Sequence, residues 1–135
     1  MRIPVFVLPI GAAMLLWNLP LKAHHSFSGT YDVSKEITIK GKIVEISFRS
    51  PHSLFFVEAP DSDGNTHRWA IEAASAAQFA QQGVNRNVFK IGDPVEIVAN
   101  PVRNATGASY RGRMLKITRT TDGKSWGASA GDTVQ

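Results

Sequence analysis

Three strand-like stretches, one short helix-like stretch and two further strands follow each other in this chain, and the first strand is long with a change of phase in its middle. That order predicts an all-β fold with one short helix: a five-stranded OB-like Greek-key barrel, with the helix between strands 3 and 4. A small SH3-like barrel is the alternative, and the helix position favours the OB type.

The first strand is "ITIKGKIVEISF", residues 37–48. Ile37, Ile39 and Ile43 share one face, after which Val44, Ile46 and Phe48 take over. A period of two that slips one place beside Gly41 indicates a bulge or sharp bend, which lets one strand pair on both sides of a barrel. "SLFFVEAP" is the second strand, rich in aromatic and β-branched residues, and "DSDGN" turns the chain at Gly64. "THRWAIEA" returns, with Trp69 and Ile71 on one face and Arg68 and Glu72 on the other.

The period then changes. "SAAQFAQQG" has helical composition, with Ser75 as N-cap and Gly83 as stop. Gly92-Asp93-Pro94 leads into the fourth strand, and "SYRGRMLKITR" forms the fifth. Residues 37–120 therefore make the barrel, residues 24–36 an N-terminal arm, and residues 121–135, with one Asp122-Gly123 turn and a lone Trp126, a flexible tail.

Residues 1–23 read as an export signal. Met1 and Arg2 give a short positive start, Ile3 to Trp17 is apolar or small throughout, and Leu21-Lys22-Ala23 fits a signal-peptidase site. The apolar run is shorter than the roughly 20 residues of a spanning helix and is interrupted by Pro4 and Pro9, which disfavours an anchor. A periplasmic or secreted product of roughly 110 residues is expected, enough for one domain. Arg2 and Lys22 would leave with the signal, so part of the +4 formal charge goes too, and a nucleic-acid partner is not expected. The chain has no cysteine, which excludes disulfides, thiolate metal sites and a lipid-modified cysteine.

"AHHSFSGTYD", a strand with a central glycine, "PHSLFFVE", "WAIEA" and "FKIGDPVEIVA" together resemble a family of small exported bacterial proteins known only as a domain of unknown function. The features that carry the resemblance fall on His24, His25, Pro51, His52, Ser53, Trp69, Glu72, Gly92 and Asp93. Two positions depart from it: Ser50 stands where an asparagine is usual, and Val84 where an aromatic residue is common. The resemblance implies export and the barrel, and no activity.

Four histidines remain to be explained: His24, His25, His52 and His67. Cleavage after Ala23 would make His24 the first residue, with its amine beside its imidazole. Amine and ring nitrogen together chelate one metal, and a third nitrogen completes a T-shaped set suited to copper, a histidine brace. His52, in a turn stiffened by Pro51, is the expected third ligand. His25 is its substitute, although neighbouring extended residues point to opposite sides. Glu72 could accept a hydrogen bond from a ligand histidine and so orient it. The plainer reading makes the histidines surface groups, or packs His52 against the arm; His67, after a hydrophilic turn, is expected to be exposed.

Phe48, Phe55, Phe56 and Tyr110 could form a stacking platform for a ligand, but core packing explains most of them. No phosphate loop, G-x-S-x-G or HExxH occurs, so a non-enzymatic role is expected; a redox enzyme stays among the alternatives because a copper brace can activate oxygen. The leading expectation is an exported OB-fold module binding a transition metal, copper foremost. The alternative is a metal-free module that binds an envelope protein or glycan through the barrel face.

Overall fold

The structure, a computed structural model, describes residues 27–105 and 109–127. The expected signal segment, His24 and His25 lie outside the described residues. Six strands run in the order β1 (Ile37–Ser47), β2 (Ser53–Pro60), β3 (Thr66–Ala73), β4 (Pro94–Pro101), β5 (Arg111–Arg119) and β6 (Ser125–Gly127), with helices α1 (Phe27–Thr30) and α2 (Ala76–Gln81). They hydrogen-bond in the order β3-β2-β1-β4-β5-β6, and a parallel pairing of β3 with β5 closes β1 to β5 into a barrel. The fold is the expected five-stranded OB-like barrel, with its helix between β3 and β4.

Closure depends on β1 serving two neighbours. Residues Ile37 to Lys42 pair with β4, and Lys42 to Ser47 pair with β2, with a register shift between Ile43 and Glu45. At the crossover, a Cβ on residue 41 would sit 2.1 Å from the Glu58 carbonyl oxygen and 2.9 Å from the Ala59 Cβ. Only glycine permits that approach. Beyond the bulge, Ile46 and Phe48 take over the inward face and pack against the core.

Alternation fills the barrel. Phe55, Val57, Ile71, Ile97, Met114 and Ile117 are fully buried from four strands. Phe79 of α2 plugs one end, 5.9 Å from both the Phe48 and Phe55 rings. The helix that carries it starts on a reciprocal cap: Ser75 Oγ accepts from the Gln78 amide at 3.2 Å, and Gln78 Oε1 accepts from the Ser75 amide at 3.0 Å. It stops near Gly83, whose φ is +75°.

Two segments differ from expectation. The barrel does not end at residue 120: the Asp122-Gly123 turn leads into β6, and the Trp126 ring meets Phe89 at 4.8 Å. Arg119 holds this corner, its Nε and Nη2 donating to Asp122 at 3.1 and 2.6 Å while Nη1 donates to the Val88 carbonyl. The indole covers the Phe89 end of the core, and together with the Arg119 contacts and the β5–β6 ladder it gives a segment of loose composition a place in the fold. The segment before β1 is also part of the fold. Tyr31 bridges to Val102, the Asp32 amide donates to the Pro101 carbonyl at 2.8 Å, and Tyr31 is 2% exposed.

Candidate functional site

On β3, Trp69, Ile71 and Ala73 face the core side, so Glu72 stands on the outside of the barrel. Register brings it opposite Leu54 of β2 and opposite Arg113 of β5. His52 ends the turn before β2, after the cis Ser50–Pro51 bond. These placements bring together side chains that are far apart in sequence.

Glu72 is the centre of the arrangement. The Tyr31 hydroxyl donates to Glu72 Oε2 at 2.6 Å, and His52 Nδ1 contacts Glu72 Oε1. Since a carboxylate oxygen accepts, Nδ1 is the donor, and in the neutral ring the lone pair lies on Nε2. The side chains of His52 and Glu72 are 31% and 23% exposed, so the imidazole is held but reaches solvent. Burial, followed by the hydrogen bond to Glu72 and the Glu72 charge, pushes the Tyr31 phenol well above the usual tyrosine range.

A stack of rings sits over this carboxylate. Phe27 of α1 lies against the His52 imidazole with centroids 4.8 Å apart and planes 22° apart, and the Arg113 guanidinium carbon is 4.2 Å from the centre of the same phenyl ring. Beside them is a cleft of about 150 Å³ lined by Phe27, His52, Glu72, Ala73, Ala74, Gln78, Arg113 and Met114. Two larger depressions, one beside Phe48, Arg86 and Phe89 and one beside Val88, Arg119 and Trp126, are not lined by His52 or Glu72.

Of the expected site residues, His52 and Glu72 are in contact, and His24 and His25 lie outside the described residues. Among the described residues, no three His, Cys, Asp or Glu side chains converge on one point. His67 is not free as expected: its Nε2 contacts Asp61 at 2.6 Å and its ring stacks on Tyr110 at 4.0 Å. The hydrogen bond from His67 is the main cause holding the Asp61 carboxyl below its ordinary value. No stacking platform forms from the four aromatics, since Phe55 is fully buried, Phe48 packs on the core, and Arg68 covers Phe56 at 4.7 Å. Sequence reasoning missed Phe27, Tyr31 and Arg113. The first two sit in the "SFSGTYD" run that follows the histidine pair, which was a usable signal; Arg113 alternates on a strand and gave none.

Residues 13–110 match a family described as "Family of unknown function (DUF6152)". The chain belongs to that family. The match spans His24, His25, Tyr31, His52 and Glu72, and ends just short of Arg113. No curated protein matches the chain. Among solved structures, the mitochondrial single-stranded DNA-binding protein Rim1 of S. cerevisiae is similar at 16% identity over 62% of this chain and 91% of that one, with a TM-score of 0.44.

Proposed function

We propose that this DUF6152 protein is an exported metal-binding module that holds a transition metal, copper foremost, between His52 and the amino end created at His24. One observation carries the reading: His52 gives its Nδ1 to a carboxylate and keeps its Nε2 for another partner, with the ring stacked on Phe27. Metal-ligating histidines are held in this way by a carboxylate on the second nitrogen, which fixes tautomer and ring direction. Chain length supports it. His24 precedes Phe27 by three residues, which span at most roughly 10 Å, and Phe27 is already packed on the His52 ring. Amine and imidazole nitrogens are the donors copper prefers, and Glu72 offsets part of the charge of a divalent ion.

The test is a copper titration of protein whose start at His24 has been established by intact mass, compared with His52→Ala and with a version extended by one glycine. The expected result is a loss of at least about 100-fold for His52→Ala, and a loss of 10- to 100-fold for Glu72→Ala, which removes the orienting carboxylate and keeps the His52 ring. Binding should also weaken in mild acid, where protons compete with the metal for the nitrogen donors. Equal affinities for the native, extended and His52→Ala proteins would overturn the metal reading in favour of a metal-free envelope module.

A further inference from the structure

We propose that the cleft beside His52 is a binding site for a small carboxylate, gripped by Arg113, and that it exists without any metal. Arg113 and Glu72 occupy paired positions across the β3–β5 seam, where an ion pair would be expected. It does not form. Both Glu72 oxygens are turned toward Tyr31 and His52, which satisfy them. Arg113 instead lies over Phe27, and its Nη1 makes only a 3.4 Å contact with Asn100 Oδ1. Among the described residues it has no carboxylate partner, although a guanidinium presents five N–H donors in a fork that matches a planar carboxylate.

The shape limits the ligand. A cavity of about 150 Å³ holds a molecule on the order of six heavy atoms. Ala74 forms an apolar wall, Phe27 a second, and the Arg113 fork supplies the donors, while the Glu72 carboxylate on the same lining is taken up by Tyr31 and His52. That combination selects a short aliphatic carboxylate: its charged end meets the fork and its alkyl end lies on alanine. A nucleotide or a sugar ring with its hydroxyls does not fit this volume and lining.

The experiment uses metal-free protein, so its outcome is separate from that of the copper titration. Acetate is titrated while the ring resonances of His52 and the amide resonances of Ala73 and Ala74 are followed by NMR. A saturable shift with Kd on the order of 1 mM is expected for four heavy atoms on one fork. Arg113→Gln should weaken it about 10-fold or more, and Arg113→Lys should recover part of the loss because charge returns without the fork. Lys90→Gln removes a cation that does not line the cleft and should leave the affinity unchanged, which separates loss of the fork from a change in overall charge. Benzoate, too large for the cleft, should shift nothing there. A shift that does not saturate, an unchanged affinity in Arg113→Gln, or benzoate binding as well as acetate would each overturn the proposal.

Discussion

Tyr31 has no counterpart among the exposed polar groups: its ring is buried, its backbone is tied to Val102, and its hydroxyl has a carboxylate partner. Burial favours the neutral phenol, so its pKa is raised on folding. A raised value contributes stability that is complete below the unfolded tyrosine pKa of about 10 and is lost as pH rises beyond it toward the folded value. An ultraviolet pH titration should therefore show the Tyr31 phenolate appearing only as the folded circular-dichroism spectrum disappears, and Tyr31→Phe should remove that component. A Tyr31 phenolate at about pH 10 in still-folded protein contradicts this account. The same bond predicts the cost of Glu72→Ala. Removing the acceptor leaves the proton of a buried hydroxyl without a partner, which costs about 1–3 kcal/mol; a urea midpoint within error of the parent would show that water replaces the carboxylate without penalty.

At the scale of elements, β1 is where one residue controls closure. A methyl at position 41 would collide with the β2 backbone at Glu58, and backbone cannot step aside without breaking the β1–β2 ladder. Gly41→Ala should cost at least about 2 kcal/mol in urea unfolding. Gly112 gives the comparison, since a Cβ there would meet the Ala99 Cβ at 3.1 Å, a contact that a small shift relieves. Its alanine variant should cost distinctly less, and equal costs would mean that closeness at Gly41 is not what the barrel needs. β6 makes the other prediction. Trp126 packs on Phe89 while Arg119 lies 5.5 Å above the indole, so Trp126→Ala uncovers one end of the core and should cost on the order of 2 kcal/mol. A Trp126→Ala protein as stable as the parent would return residues 121–127 to the status of a tail.

For the molecule as a whole, mild acid acts through carboxylates held in the fold. Asp122 is lowered to about 2, first by its hydrogen bonds from Arg119, and Asp32 and Asp61 are lowered by Ser34 and His67 respectively. A depressed folded pKa gives stability that is present above the unfolded value of about 3.9 and is lost as pH falls toward about 2. Urea midpoints should therefore decline between about pH 4 and pH 2, and the difference between parent and Asp122→Asn should shrink over that window. A difference that persists at pH 2 would show that Asp122 acts by packing and not by charge. The barrel itself was legible before any coordinates. β2, β3 and α2 fall where alternation, Gly64, Ser75 and Gly83 indicate, because those signals are local: a period of two, a turn residue, a cap. Even the two-sided pairing of β1 was visible as a phase slip beside Gly41.

What sequence alone determined is thus the order of the strands, the position of the helix, the closure of the barrel and the outward direction of Glu72, all consequences of patterns a few residues long. The tertiary structure decided what meets on the outside. His52 and Glu72 are 20 residues apart and Tyr31 and Glu72 are 41 apart, and barrel closure alone sets Arg113 across from Glu72 without giving it that carboxylate. Periodicity assigns a side chain to a face. Which distant side chain shares that face depends on strand register, and on which of several donors reaches one carboxylate first, and those are properties of the closed barrel and not of any stretch of the chain.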